Sequence, residues 1–225
     1  EPARKRMKAW RALCTWAIET GRLTMDPSAA VVRPKAAATD GHEAWTRDEV
    51  AKVRARWQIG EPRRLAVELL YWTGARISDA VRLGPGMIRP DGLLTFKQAK
   101  TGGVAYVPMR CALPAFCDPR DHAFLLACIE VAPVGMVWLL TAHGKPRSVK
   151  STSNWIAETA RLAKVEKSAH GLRKARLIDM AERGASALAL QAWGGHKTLS
   201  EVQHYIAAAE RRRALIGQAR QGNGA

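Results

Sequence analysis

The stretch Leu93-Leu-Thr-Phe-Lys-Gln-Ala-Lys100-Thr-Gly-Gly-Val104-Ala-Tyr-Val-Pro108 decides the fold. It holds two β-rich runs, Leu93 to Gln98 and Val104 onward, joined at a turn containing Gly102 and Gly103, and this pattern predicts strand, tight turn, strand. The Asp91-Gly92 pair just before it is a hairpin signal, and Met87-Ile88 is expected to add a third short strand. On both sides the apolar period changes to that of helices. Upstream, Thr46 and Glu49 form a capping box ahead of a helix from Arg47 to Trp57, and Pro62 opens a second helix toward Trp72. Downstream, helical spacing covers Asp121 to Val131, Thr152 to Lys164, Ala169 to Arg183, Ala187 to Trp193 and Leu199 to Ile216. There is no internal repeat. Helices, a small antiparallel sheet and more helices make an α+β fold that is mainly helical.

At the N-terminal end, Met7, Trp10, Leu13, Cys14, Ala17 and Ile18 recur at helical spacing from Arg4 to Thr20, and Gly21 is a suitable helix stop. One helix cannot bury that apolar face alone. Met25-Asp-Pro-Ser28 and the stretch from Arg33 to Gly41 read as turn and linker, which sets a boundary near residue 38. The expected division is 1–38, 39–205 and 206–225. A chain that starts at Glu1 within a basic helix is expected to have been trimmed from a longer one.

Across 225 residues, 36 Lys plus Arg against 20 Asp plus Glu leave a net charge of +16. The excess is +4 over residues 1–40, +9 over 41–205 and +3 over 206–225. A basic tail on a neutral domain would concentrate it at one end, so the folded surface is itself positive, and nucleic acid is the leading partner. Solubility by net charge is the plainer alternative. The longest apolar run, Val134 to Leu140, is far too short to cross a bilayer, and no apolar signal core follows the basic N-terminus. Cys14, Cys111, Cys117 and Cys128 lack paired metal-ligand spacing and are expected to be reduced packing residues of a cytoplasmic protein.

Three further pieces stand in order: Thr73-Gly-Ala-Arg76-Ile-Ser-Asp-Ala-Val-Arg-Leu83, His170-Gly-Leu-Arg173, and Gly195-His196 with Tyr205 nine residues after the histidine. Together with Lys100 at the strand turn, this order and spacing resembles the tyrosine recombinase, or phage integrase, family, from about Trp45 to Ala209. The helix before Asp26-Pro27 and Arg33-Pro34 looks like the end of that family's core-binding domain. Each piece alone is weak, whereas six positions in order are specific.

The resemblance implies site-specific recombination through a 3′-phosphotyrosyl intermediate, with Tyr205 as nucleophile, His170 as base, Arg76 and Arg173 on the scissile phosphate, His196 hydrogen-bonded to it and Lys100 as general acid. It implies no cofactor and no metal. The implied partner is double-stranded DNA, with a homo-tetramer on paired sites when active and a monomer for an isolated fragment. The residue types suit the chemistry. A pentacoordinate phosphorus gathers negative charge on its non-bridging oxygens, and a planar guanidinium gives phosphate two parallel hydrogen bonds. A tyrosine of ordinary pKa, about 10, is almost wholly protonated at neutral pH and needs a base or positive surroundings. Histidine titrates nearest neutrality, and His170 shares a helical face with Arg173.

Taken singly, Tyr205 fits a packing position beside Val202, Ile206 and Ala209, and any one arginine is an ordinary surface charge. Lys97 competes with Lys100, but strand alternation expects it in mid-strand. His42, His122, His143 and His204 are expected to be ordinary, with His204 turned about 100° from Tyr205 around the helix. Thr198 and Glu201 are expected to form a second capping box, about two turns before Tyr205. A non-catalytic DNA-binding protein of the same fold and a type IB topoisomerase are the competing functions.

Overall fold

The structure, a computed structural model, describes residues 2–32 and 42–215. The expected boundary near residue 38 and the end of the C-terminal tail lie outside the described residues. The chain divides into two compact units, 1–41 and 42–225.

The first unit is built on α1, Pro2–Glu19. Gly21, at φ +70°, ends it, and the chain doubles back with Arg22 and Leu23 donating their N–H groups to the Ala17 carbonyl. Asp26 caps the next turn through the Ser28 N–H and hydroxyl, and Arg11 reaches the Val31 carbonyl. Cys14 and Ala17 are buried, whereas Trp10, Leu13 and Trp16 are about half exposed.

The second unit runs α2 (Arg47–Arg56), α3 (Pro62–Thr73), α4 (Ile77–Ala80), β1 (Leu93–Lys97), β2 (Val104–Pro108), α5 (Pro119–Glu130), α6 (Val149–Leu162), α7 (Ala169–Glu182), α8 (Ala187–Gly194) and α9 (Ser200–Leu215). The capping box of Thr46 and Glu49 is made in both directions. Helix α3 is the axle of the unit: every residue from Arg64 to Thr73 is buried, and it packs on α5, α6 and α7. Such a helix carries charge inward only where that charge is paired. Arg54 grips Glu68 with two 2.8 Å hydrogen bonds, Arg64 adds a third at 2.6 Å, and Arg54 also meets Asp121 of α5 at 2.9 Å.

Strands β1 and β2 pair antiparallel from Leu93 opposite Pro108 to Lys97 opposite Val104. The third strand expected at Met87-Ile88 does not form. Pro85 fixes φ for a single 3-10 turn, Pro85–Met87, and only Ile88 bridges to Leu94 before Gly92, at φ +84°, turns the chain into β1. Lys97 is the last residue of β1 and is exposed, so the mid-strand position expected for it is corrected. All four cysteines are free, and three of them are buried. Among the described residues, no helix is long and apolar enough to cross a membrane.

Candidate active site

Helix α3 stops at Gly74, whose φ of +60° lets the chain turn sharply without the strain a side chain would bring there. Two residues on, Arg76 is the N-cap of α4, half-buried at the mouth of this turn. Helix α8 ends the same way, with Gly195 at φ +60°, immediately before His196. Two helix C-termini, each followed by a candidate site residue, therefore face one another.

Arg173 sits between them. It lies in the second turn of α7, is only 3% exposed, and forms no ion pair with a carboxylate among the described residues. Its Nη1 donates to the Gly74 carbonyl at 2.7 Å, and its Nη2 donates to the Gly194 carbonyl at 2.7 Å and to His196 Nε2 at 2.8 Å. Carbonyls at the negative ends of two helices hold the cation without neutralising it. Hydrogen bonds to a charged donor contribute about 1.5–3 kcal/mol each, which offsets the cost of its burial. Burial, with Arg76 nearby, pushes Arg173 down to about 10, so it is still charged at neutral pH.

The start of α7 is clamped from outside. Trp45 donates its indole N–H to the Ser168 carbonyl at 2.8 Å and its backbone N–H to the Gly171 carbonyl. A Cβ at Gly171 would lie 2.3 Å from the Glu43 carbonyl oxygen, so only glycine admits this approach. His170, exposed beside it, has its ring 5.0 Å from that of His42, which is held by Ser168 Oγ at 2.9 Å from its Nδ1. His42 is thus packed on the candidate base and is not an ordinary surface histidine. Although the residue as a whole is exposed, desolvation of its ring against these neighbours comes first, then the charges of His42, Arg173, Arg76 and Lys174, and they lower His170 to about 4.

From the sheet, the turn after β1 closes through Gln98 N–H to the Gly103 carbonyl and Gly102 N–H to the Gln98 carbonyl. Asp79, wholly buried on α4, accepts from the Ala99 N–H at 2.8 Å and from Arg82 at 2.8 Å, tying this turn to the Arg76 segment. Gln98 accepts a hydrogen bond from Arg76 Nη1 and donates one to the Gly194 carbonyl. Lys100 is exposed at the tip. Among the described residues it makes none of the hydrogen bonds that join the other positions. Lys97 and Lys197 run along the same turn: a Cβ on Gly102 would meet Lys97 Cε at 3.6 Å and Lys197 Nζ at 3.8 Å.

His196 donates from Nδ1 to the Glu201 carboxylate at 3.2 Å, which leaves its Nε2 lone pair for Arg173. Burial, then Arg173, lowers it to about 4, against the opposing pull of Glu201. In the DNA-free protein both shifts favour the neutral imidazoles. The second capping box is made only in part: the Glu201 carboxylate draws on the Thr198 N–H, but the Thr198 hydroxyl turns elsewhere. Thr198 pairs with Ser200 Oγ at 2.9 Å, while Glu201 takes the Lys197 N–H at 3.1 Å because His196 draws the carboxylate to that side. Helix α9 starts at Ser200, which brings Tyr205 about one and a half turns in.

Tyr205 is 9% exposed. Burial raises its phenol above the usual value, and the charges of Arg173 and Arg76 offset only part of that rise. The His204 ring does not point away: its centroid lies 3.8 Å from that of Tyr205, since χ1 freedom lets adjacent rings on a helix swing together.

The structure thus gathers Arg76, Arg173, His170, His196 and Tyr205 around one corner, with Lys100 on the turn beside it. Asp79, Gln98, Glu201 and His42 also belong to this corner, although the sequence points to none of them as a site residue and marks Glu201 only as a helix cap. Asp79 had a signal, its place three residues after Arg76 on one helical face. Among the described residues, no group of three or more His, Cys, Asp or Glu side chains is placed to hold a metal ion.

A pair of guanidiniums, two imidazoles and a buried tyrosine within their field are the kinds of group that a phosphoryl-transfer site with a protein nucleophile requires. Residues 46–212 match the phage integrase family, and the chain belongs to it. It is 28% identical over 217 residues to tyrosine recombinase XerC of Mycobacterium tuberculosis (strain ATCC 25177 / H37Ra), covering 89% of this chain and 70% of that protein. Identity to XerC of Mycobacterium sp. (strain KMS) is 27% over 216 residues, with the same coverage. The fold is that of lambda integrase. Residues 75–356 of that protein, as a dimer bound to a COC′ core site, superpose with a TM-score of 0.71 at 21% identity, covering 99% of this chain and 75% of that one. A second lambda integrase dimer on the same core site gives 0.69 at 21% identity, covering 90% of this chain. The chain spans 58% of the length of that integrase chain.

Proposed function

We propose that this chain is a site-specific DNA recombinase that breaks and rejoins strands through a 3′-phosphotyrosyl intermediate. The observation that carries the proposal is the buried Tyr205 phenol within the field of both Arg173 and Arg76, neither arginine forming an ion pair with a carboxylate among the described residues. In the forward step the Tyr205 oxygen attacks phosphorus and its proton passes to the neutral imidazole of His170. Arg76 and Arg173 take the charge that builds on the non-bridging oxygens. The bond to the 5′ oxygen breaks, and Lys100 gives that oxygen its proton. One phosphodiester is exchanged for another, so a second strand's 5′ hydroxyl reverses the step and frees Tyr205. His196, fixed by Glu201, holds Arg173 in place from its Nε2 side.

Lambda integrase has been solved as a dimer on core-site DNA and as a tetramer on a Holliday junction. Together with the net charge of +16, this supports duplex DNA as partner and a multimer, a tetramer on paired sites, as the active form, working on DNA in the cytoplasm. The first unit is proposed to be the end of a core-binding domain. The test is to incubate the protein with a pool of nicked, random-sequence duplexes and recover SDS-resistant adducts. Recovery of a preferred sequence by the parent protein, and of none by Tyr205→Phe with DNA binding retained, is expected. Adducts that survive Tyr205→Phe refute the assignment, and relaxation of supercoiled DNA with no sequence preference would favour a topoisomerase.

A further inference from the structure

A clamp of two arginines has a built-in difficulty, because like charges repel and long side chains wander. The repulsion is visible here: Arg76 is one of the causes that depress Arg173. Arg173 is held by helix-end carbonyls, whereas Arg76 stands half-buried at the mouth of its turn and needs something else to orient it.

Gln98 answers that need. It follows β1 directly and is 2% exposed. Its Oε1 accepts from Arg76 Nη1 and, at 2.7 Å, from the Thr101 hydroxyl. Its Nε2 donates to the Gly194 carbonyl, the same oxygen that accepts from Arg173 Nη2. The amide orientation follows from its partners, since the flipped form would set an NH2 group against a guanidinium. Space is reserved for it as well, because a Cβ on Gly195 would lie 2.8 Å from Gln98 Nε2. One unbroken chain of hydrogen bonds therefore runs from Arg76 through Gln98 and the Gly194 carbonyl to Arg173, with a branch through Thr101 to the turn that carries Lys100.

We propose that Gln98 is a positioning residue that fixes Arg76 beside Arg173 as a pair of unneutralised cations and sets the Lys100 turn in register with them. An amide is the suitable group. It offers a strong acceptor to one cation and a donor to the shared carbonyl, yet brings no charge. A carboxylate at the same place would pair with Arg76, withdraw charge from the phosphate, and face the Gly194 carbonyl with no proton to offer. The inference rests on the strand-transfer role proposed for this site.

The test uses Gln98→Glu, which keeps the shape and adds a charge, and Gln98→Met, which keeps the volume and removes both hydrogen-bonding functions. On the duplex recovered by covalent capture, both variants should bind within about threefold of the parent, since Gln98 meets no solvent. Adduct formation at saturating DNA should slow by about 10²-fold or more, the scale expected when one preorganised charge-stabilising donor is lost. The loss should shrink on a duplex whose scissile phosphate is replaced by an uncharged methylphosphonate, because the clamp then has less charge to meet. A merely structural role would slow both duplexes equally. In the DNA-free protein, side-chain 15N NMR should show separate, slowly rotating Nη signals for Arg76 in the parent and in Gln98→Glu, merged in Gln98→Met. Parent-like cleavage by both variants, equal losses on the two duplexes, or an Arg76 signal indifferent to Gln98→Met would overturn the proposal. Should the parent form no adduct on any duplex, the strand-transfer role fails, while the NMR signals still decide whether Gln98 holds Arg76.

Discussion

Replacing Gly103 by alanine tests the most exacting contact in the site. Gly103 lies outside the left-handed region, so alanine meets no conformational objection there. The objection is steric: its Cβ would sit 2.1 Å from the Gly195 carbonyl oxygen and 3.0 Å from the carbonyl carbon. Both partners are backbone and cannot swing aside. Gly195 is pinned by its own helix end, its N–H and that of His196 both donating to the Gln191 carbonyl. On the other side, the Gly103 carbonyl is bonded to the Gln98 N–H at 2.8 Å. An ordinary contact is regained only if the turn with Gln98 and Lys100 separates from the Gly194–Gly195 corner by roughly 1 Å. Misplacement of that size in a reacting geometry costs about 10²-fold in rate. The stability cost is that of overpacking, about 1–3 kcal/mol, or several degrees in Tm for a unit of this size. Single-turnover adduct formation at saturating DNA should therefore fall about 10²-fold while the protein remains folded and DNA-bound. Gly102→Ala is the control. It strains a φ of +72° by about 1–2 kcal/mol, but its Cβ meets only the flexible ends of Lys97 and Lys197, so cleavage should stay near the parent's. Parent-like cleavage by Gly103→Ala, or equal damage from Gly102→Ala, would refute the reasoning.

Arg76→Lys replaces a planar fork with a point charge and should slow cleavage by about 10²-fold at saturating DNA, with affinity little changed; kinetics that differ only in affinity would contradict it. Stability should fall in acid. His170 and His196 are held at about 4, below the ordinary histidine value of 6.5, so the unfolded chain takes up protons first. Their contribution is whole above about 6.5 and is lost progressively toward about 4, so Tm should drop from pH 7 to pH 5, less steeply in His196→Gln. A flat profile would count against neutral, confined imidazoles. Most of the +16 is assigned to holding duplex DNA, so affinity should fall steeply with salt while the saturated cleavage rate changes little, and EDTA should leave that rate intact.

Much of the fold was legible because its signals are local. The capping box at Thr46, Pro62 at the head of α3 and the glycine turn between β1 and β2 each act through neighbours in sequence. What escaped was set across the fold. The capping box expected at Thr198 is made only in part because His196, five residues before Glu201, competes for the carboxylate. Met87-Ile88 has strand-like residues, yet Pro85 removes the N–H and fixes the angle that a third strand would need. In the site, the motif residues could be chosen by order and spacing. Gln98 and His42 could not, because what singles them out is a contact with a residue remote in sequence, Arg76 for Gln98 and His170 for His42. Arg173 was legible as a charge, but its confinement between two helix ends was not.

The central claim is that the Tyr205 oxygen becomes bonded to DNA phosphorus. Mass spectrometry of a proteolysed, nuclease-trimmed adduct tests it most directly. The account predicts a nucleotide joined through its 3′ phosphate to the peptide that contains Tyr205, with a free 5′ hydroxyl on the departing strand. A nucleotide on another residue, or a 5′-phosphate linkage, would contradict it.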